Sequence, residues 1–303
     1  MSWGSRRPGP VASADVHPII SATELLAMTS SGDAPKILDV RWSLAQPDGR
    51  AEHERAHLPG AVHVDLENEL SSHGEPGEGR HPLPTPDQLQ QAARRWGLDD
   101  GDTVVVHDAD TGVAAARAWW LLRHAGMADV RILDGGLAAW RAVGGAVESG
   151  AVEPEPGNVR LGWGHMPVVD IDEAAALPGG GILLDVRAPE RYRGEVEPMD
   201  PVAGHIPGAV NAPNLELLGP DGTFRTPEEI RDLLGGLGVD GRRPVAAYCG
   251  SGVNAAHAVA AMESAGLRAA LYPGSWSQWS NTPGRPIGTA ARPTQPAEPA
   301  SVE

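Results

Sequence analysis

The sequence predicts an α/β protein made of two tandem copies of one domain, each with a mostly parallel β-sheet and helices on both of its faces. Short apolar runs with the pattern of buried strands alternate with helical stretches such as 112–125 and 227–234, and this alternation is typical of parallel sheets. Four blocks of the first half also return in the same order in the second half. A repeat of about 140 residues is too long for a solenoid, so it indicates a tandem duplication.

The repeated blocks locate the elements that the two copies share. In order, they are a strand that ends in Asp-Val-Arg, a His-(Leu/Ile)-Pro-Gly-Ala turn, a second apolar strand, and a segment with Gly and Trp. The matched ranges are 36–41 and 181–187, 57–62 and 205–210, 104–108 and 245–249, and 134–140 and 273–279. Polar residues that occur in both copies are predicted to serve the fold: ion pairs Asp39–Arg41 and Asp185–Arg187, and turn hydrogen bonds from His57 and His205.

Composition separates two compact regions from looser segments. We expect one domain at 15–146 and the other at 166–288, joined by a linker at 147–165 that is rich in Gly, Pro and Glu. The ends, at 1–14 and 289–303, have the polar, proline-containing composition of disordered tails.

Charge and composition limit the function classes. The 303 residues carry a formal net charge of −16, which argues against a nucleic-acid-binding surface. The chain lacks an apolar run of about 18 residues, the length that a membrane span needs, and its 11 His show no metal-ligand spacing. We therefore expect no nucleic acid, no membrane and no metal as partners. A single cysteine without a signal peptide predicts a cytoplasmic protein.

The single cysteine, Cys249, is the strongest candidate for chemistry. A lone thiol is either inert packing or a nucleophile, and its surroundings favour the nucleophile. It lies in a glycine-containing turn between an apolar strand at 244–248 and a helix at 255–266. Such a turn directs backbone N–H groups and a helix N-terminus at the sulfur, which favours the thiolate form.

The first copy lacks this thiol. At the position equivalent to Cys249 it has Asp108, and a carboxylate is a poor nucleophile for sulfur chemistry. We therefore expect the N-terminal copy to be catalytically silent and to form one wall of a cleft between the domains.

Taken together, these blocks resemble the tandem-domain rhodanese-like sulfurtransferases over about residues 18–287. The resemblance implies a rhodanese-like fold for each domain, an inactive first domain, and a persulfide intermediate on Cys249. It implies a ping-pong reaction that needs neither a metal nor an organic cofactor. Cys249 would take sulfur from a small anionic donor, and a low-molecular-weight thiol or a thioredoxin-like protein would remove it.

The resemblance leaves two donors open. Thiosulfate enzymes tend to carry Cys-Arg-Lys-Gly-Val-Thr, whose charges suit a dianion, and mercaptopyruvate enzymes tend to carry Cys-Gly-Ser-Gly-Val-Thr. Residues 249–254 here read Cys-Gly-Ser-Gly-Val-Asn, so the loop favours 3-mercaptopyruvate, and thiosulfate is the alternative. The loop residues expected to bind the donor and the transferred sulfur are Gly250, Gly252, Val253 and Asn254.

Further site residues are implied by the same resemblance. Arg191 matches the arginine that contacts the anionic group of the donor. A second arginine, which mercaptopyruvate enzymes often have shortly afterwards, is replaced by Met199. A serine–histidine–acid relay maps to Ser251, His81 and Glu67, although the acid in the family is Asp.

Two other classes of protein share features with this sequence. A cysteine phosphatase uses a similar strand–loop–helix cradle but needs a loop arginine to bind phosphate, and residues 250–257 contain none. A persulfide relay protein that hands sulfur to a partner without turnover stays open, because the same persulfide would serve both roles.

Overall fold

The computed structural model of the protein describes residues 16–32, 34–109 and 111–289. It contains two α/β domains, which confirms the predicted class and duplication. The first domain has strands β1 (Ile19–Ile20), β2 (Lys36–Asp39), β3 (Val62–His63), β4 (Val104–His107) and β5 (Val130–Leu133), with helices α1 (Ala22–Ser31), α2 (Arg50–Arg55), α3 (Leu66–Glu69), α4 (Pro86–Arg95), α5 (Val113–His124) and α6 (Gly136–Ala142). The second has α7 (Ile171–Ala176), β6 (Ile182–Asp185), α8 (Pro189–Tyr192), β7 (Val210–Asn211), α9 (Pro227–Gly235), β8 (Val245–Tyr248), α10 (Val253–Ser264), β9 (Ala270–Leu271) and α11 (Ser275–Ser280). The predicted tails at 1–14 and 289–303 lie outside the described residues, apart from residue 289.

The two sheets have equivalent strand orders. The first is β1-β5-β4-β2-β3 and the second is β7-β6-β8-β9, and all the pairs within them are parallel. In the first sheet, β3 lies on one side of β2, and the following strands β4 and β5 lie on its other side. In the second sheet, β7 lies on one side of β6, and β8 and β9 lie on its other side. The strand order therefore reverses between β2 and β4 and between β6 and β8. Ligands of open parallel sheets bind at the carboxyl ends of the strands at this switch point, and Cys249 directly follows β8.

Both faces of each sheet are buried, as the sequence predicts for parallel strands. In β6, Ile182 and Leu184 belong to one apolar cluster and the intervening Leu183 belongs to another. In β4 the same alternation places Val104 and Val106 against one cluster and Val105 against a second. Helices therefore cover both faces of the sheets.

One apolar cluster runs through both domains and joins them. It includes alanines of α5 and of α10, two helices that are buried along nearly their whole length. A helix that is apolar on all sides has to pack against protein everywhere, and small side chains allow the two helices to approach closely. The domain interface thus brings the N-terminal ends of α5 and α10, with their loops, into one region.

Local signals repeat between the copies. Thr85 and Thr226 each form a capping box before a helix that starts with proline. The predicted ion pairs are present, with Arg41 Nε 2.7 Å from Asp39 Oδ1 and Arg187 Nη2 2.6 Å from Asp185 Oδ2. His57 Nδ1 lies 2.8 Å from the His53 carbonyl oxygen, and His205 Nδ1 lies 2.8 Å from that of Tyr192, which confirms the structural role expected for both.

The segment 147–165 forms no helix and lies along the first domain. The N–H of Gly157 donates to the Arg94 carbonyl at 2.8 Å, and the N–H of Val159 donates to the Leu98 carbonyl at 3.0 Å. None of the helices that the structure describes is both long and apolar enough to cross a membrane.

Candidate active site

Cys249 is the first residue after β8, and its side chain faces the start of α10. The residue is buried, with 3% of its surface exposed. The N–H of Gly252 lies 3.1 Å from Cys249 Sγ, and Gly252 is the N-cap of α10. The first N–H groups of a helix have no partner inside the helix, so they offer hydrogen bonds to an anion on this sulfur.

The helix begins at Val253, two residues earlier than the sequence prediction of 255. The left-handed conformation of Gly252, with φ of 85°, turns the chain directly into α10. Val253 and Asn254 are therefore part of the first helical turn and not of a loop. The side-chain nitrogen Nδ2 of Asn254 lies 3.3 Å from Asn214 Oδ1. The side chain of Asn254 is therefore engaged with Asn214, and its backbone N–H is the group that can donate to an anion in the loop.

The loop is fixed from behind by the start of α11. The N–H of Cys249 donates to Ser275 Oγ at 3.1 Å, while the N–H groups of Trp276 and Ser277 donate to the carbonyls of Cys249 and Gly250 at 3.0 and 2.8 Å. Ser275, at φ of 53°, is the one non-glycine residue with positive φ in the described part of the chain. Sequence reasoning missed its role, although it lies inside the repeated Gly- and Trp-containing block.

The equivalent loop of the first domain binds a carboxylate of its own. The Asp108 carboxylate accepts hydrogen bonds from the N–H groups of Gly112, Ala114 and Ala115, at 2.9, 3.0 and 3.4 Å. These donors occupy the same helix positions as residues 252, 254 and 255 in the second domain. The first loop thus uses its amides to bind its own carboxylate, and it is one residue longer than the loop of Cys249. The amides of the second loop are arranged for an anion that Cys249 would carry.

Ser251, His81 and Glu67 form a chain of contacts across the domain interface. His81 Nδ1 lies 2.7 Å from Ser251 Oγ, and His81 Nε2 lies 3.1 Å from Glu67 Oε1. The Trp42 indole N–H donates to the same Glu67 oxygen at 2.6 Å. The acid and the imidazole come from the first domain and the serine from the second, so both domains contribute to this chain of contacts.

Burial lowers the pKa of His81, and the charges of Arg117 and Arg80 act in the same direction, whereas Glu67 opposes them. The imidazole is therefore neutral near pH 7. With a proton on Nε2 directed at Glu67, His81 Nδ1 is free to accept the hydrogen bond of the Ser251 hydroxyl.

Arg191, the arginine expected to contact the donor, lies over the loop. A Cβ atom built on Gly250 would lie 3.6 and 3.7 Å from its two terminal nitrogens. Its guanidinium pairs with Glu197, Nη2 to Oε1, at 2.6 Å and lies 3.6 Å from Asp200 Oδ2. Two buried carboxylates thus hold Arg191 beside the loop.

Two further arginines reach the site from the first domain, and sequence reasoning missed both. Arg80 Nη2 would lie 3.2 Å from a Cβ on Gly250. Arg117 is fully buried in α5, and burial lowers its pKa to about 10. Its Nη1 would lie 3.3 Å from a Cβ on Gly252 and has no hydrogen-bond partner among the described residues. A lone arginine in the apolar run 113–122 is a signal that could have drawn attention to it.

No group of three or more His, Cys, Asp or Glu in the described ranges is arranged to hold a metal ion. The groups gathered at this loop are the Cys249 thiol, the backbone N–H groups at the start of α10 and the guanidinium groups of Arg80, Arg117 and Arg191.

A lone thiol in an amide loop, beside a copy of the same loop that has Asp108 in place of the thiol, is the arrangement of a two-domain sulfur-transfer protein. The model of the rhodanese-like domain matches residues 21–143 and again residues 170–282. The chain therefore belongs to the rhodanese-like family, and the resemblance drawn from the sequence is confirmed.

Similar proteins place the chain among the sulfurtransferases. It is 51% identical over 275 residues to the "Putative thiosulfate sulfurtransferase SseB" of Mycobacterium tuberculosis, across 89% of this chain and 96% of that protein. It is 44% identical to the "Probable 3-mercaptopyruvate sulfurtransferase" of Pseudomonas aeruginosa, across 89% and 98%. The chain also matches the crystal structure of SseA from Escherichia coli, a structure presented as that of a 3-mercaptopyruvate sulfotransferase. The TM-score is 0.77 at 32% identity, across 86% of this chain and 99% of that one. The chain is a sulfurtransferase, as the sequence predicts.

Proposed function

We propose that the protein moves a sulfane sulfur from 3-mercaptopyruvate to a thiol through a persulfide on Cys249. The observation that carries this proposal is the position of the sulfur, with the N–H of Gly252 3.1 Å from Sγ at the start of α10. Residues 250–255 carry no charged side chain. An uncharged loop suits a donor with one carboxylate better than a dianion, because each added negative charge needs a compensating positive one.

In the first half-reaction the Cys249 thiolate attacks the donor sulfur. A sulfur–sulfur bond forms, the carbon–sulfur bond of the donor breaks, and its electron pair leaves with the enolate of pyruvate. The proton of the donor thiol moves from the terminal sulfur to the enolate carbon, which gives pyruvate. The terminal sulfur is left as an anion, and the N–H groups at the start of α10 stabilise it.

We assign the transfer of that proton to Ser251, His81 and Glu67. The Ser251 oxygen takes the proton of the donor thiol while its own proton moves to His81 Nδ1, 2.7 Å away. Glu67 holds the opposite ring nitrogen and stabilises the imidazolium that forms. The reverse movement delivers the proton to the enolate.

In the second half-reaction a thiolate acceptor attacks the terminal sulfur and leaves with it, which regenerates the Cys249 thiolate. A low-molecular-weight thiol or a thioredoxin-like protein fits this role. The proposed compartment is the cytoplasm, where reducing conditions keep a lone thiol available.

Thiosulfate is the second candidate donor, because the Mycobacterium tuberculosis relative carries that substrate in its name and because Met199 replaces the second arginine. Cys249 would then take the outer sulfur, and sulfite would leave with the bonding electron pair. No enolate forms in that reaction, so it does not need the Ser251 relay.

The test measures kcat/KM for 3-mercaptopyruvate and for thiosulfate with one common thiol acceptor, with Cys249→Ser as the control for background reaction. The proposal expects the higher value with 3-mercaptopyruvate. A higher value with thiosulfate would reverse the donor assignment. A protein that takes up one sulfur and then stalls with every small thiol would be a persulfide relay and not a turnover enzyme.

A further inference from the structure

We propose that Arg80, which the silent domain contributes, is the second guanidinium that binds the anionic group of the donor, together with Arg191. This inference rests on the proposed function, since it concerns how the same site binds its donor. It explains how a chain with Met199 in place of the expected second arginine can still bind an anion.

The two guanidinium groups meet over Gly250. A Cβ atom on Gly250 would lie 3.2 Å from Arg80 Nη2 and 3.6 Å from Arg191 Nη1. Gly250 directly follows the reactive cysteine, so both cations border the space in which a donor would approach the sulfur. Two planar groups at this spacing can share one carboxylate, since each guanidinium presents a fork of N–H donors.

Arg80 is held in this place by contacts across the domain interface. Its backbone N–H donates to Ser277 Oγ at 3.0 Å. The preceding Gly79 has φ of 94°, and a Cβ there would lie 2.8 Å from the Gly274 carbonyl oxygen. Only glycine allows the turn to approach α11 this closely. The turn that positions His81 thus positions Arg80 as well.

Asp200 links the two arginines. Its Oδ1 lies 2.8 Å from Arg80 Nη1, and its Oδ2 lies 3.6 Å from Arg191 Nη2. Its side chain is 2% exposed, and burial raises the pKa of the carboxyl group. Asp200 thereby fixes the direction of both guanidinium groups.

Arg80 retains unused donor capacity. Its Nε is buried and has no hydrogen-bond partner in the described part of the chain, and its ion pair with Asp200 engages only Nη1. Arg80 also lines an open cleft of about 320 Å³, together with Asp200, Met199 and Ser277.

The test uses the fact that Cys249 is the single cysteine. Iodoacetate and iodoacetamide both alkylate a thiolate by displacing iodide, but only iodoacetate carries a carboxylate. The ratio of the two alkylation rates measures how strongly the site attracts an anion. It is independent of the fraction of thiolate, because both reagents need the same ionised sulfur. It also requires no sulfur transfer.

The variants are Arg80→Met and Arg80→Lys, with Arg131→Met as the matched control. Arg131 lies in the same domain, is similarly exposed and pairs with Asp129 at 2.7 Å, but it belongs to β5 and not to the cleft. Arg80→Met is expected to lower the iodoacetate-to-iodoacetamide ratio about tenfold and to raise KM for 3-mercaptopyruvate more than it lowers kcat. Arg80→Lys is expected to recover part of the ratio, and Arg131→Met to match the wild type.

An unchanged ratio in Arg80→Met would overturn the proposal. Equal slowing of both reagents would overturn it as well, because that result would mean that Arg80 only supports the shape of the loop. If the wild type turned over neither donor while the ratio still depended on Arg80, the proposed function would fail and the anion site would stand.

Discussion

The left-handed conformation of Gly252 determines the path of the loop that holds Cys249. The substitution Gly252→Ala tests how strongly the loop depends on this conformation. At φ of 85° an alanine is in the left-handed region, which costs about 1–2 kcal/mol. Its Cβ would also lie 2.6 Å from the Pro273 carbonyl oxygen. A backbone atom cannot rotate away as a side chain can, so the loop has to move at a further cost of about 1–3 kcal/mol.

The equivalent loop of the first domain supplies the matched control, Gly112→Ala. Gly112 is the N-cap of α5 with φ of 74°, so an alanine at this position has the same unfavourable left-handed conformation as one at position 252. The nearest atom to its Cβ would be Ile132 Cγ2 at 3.2 Å, a side-chain atom that can adjust. We expect a loss of about 2–5 kcal/mol in the free energy of unfolding for Gly252→Ala and about 1–2 kcal/mol for Gly112→Ala.

The assay combines urea unfolding, followed by Trp fluorescence, with the initial rate of sulfur transfer. Because a displacement of about 1 Å at a reacting group lowers the rate about 100-fold, Gly252→Ala is expected to lose kcat/KM by that factor or more. Gly112→Ala is expected to retain the wild-type value. Wild-type kcat/KM in Gly252→Ala, or equal losses in both variants, would refute the role assigned to this loop.

Two further predictions concern proton movement and acid stability. Ser251→Ala is expected to lower kcat for 3-mercaptopyruvate about 100-fold or more and to leave kcat for thiosulfate unchanged; equal losses with both donors would mean that the hydroxyl only supports the loop. Burial lowers the pKa of His124 from 6.5 to about 4, so the unfolded chain takes up that proton first. The free energy of unfolding should therefore fall as pH drops from 6.5 to 4. His124→Phe should make this fall shallower, as pH-dependent urea unfolding would show, and an unchanged pH slope would contradict it.

The repeat in the sequence was sufficient to predict the duplicated α/β fold and to place Cys249 in the turn between a strand and a helix. Buried strands and the loop after them are set by local patterns, so strand β8 and the following turn could be identified from residues 244–252 alone. The start of α10 was placed two residues late, because the sequence does not reveal the left-handed N-cap conformation of Gly252.

Apart from Ser275, the parts of the site that the sequence left out come from across the domain interface. Arg80 and Arg117 are 169 and 132 positions before Cys249 in the chain. The packing of α5 against α10 brings Arg117 to the loop, and the contact of the Gly79–Arg80 turn with α11 brings Arg80 there. The lone arginine in the apolar run 113–122 marks Arg117 as unusual, but no local pattern shows which loop it reaches. His81 and Glu67 could be named only through the family resemblance, for the same physical reason.

The central claim is that sulfur passes through Cys249 as a persulfide, and intact-protein mass spectrometry tests it most directly. After incubation with 3-mercaptopyruvate and no acceptor, the wild type should gain the mass of one sulfur atom, and an added thiol should remove it. Cys249→Ser should gain none, since the chain has no other cysteine. Continued sulfur transfer by Cys249→Ser, or turnover by the wild type without a sulfur on Cys249 that the acceptor can remove, would contradict the account.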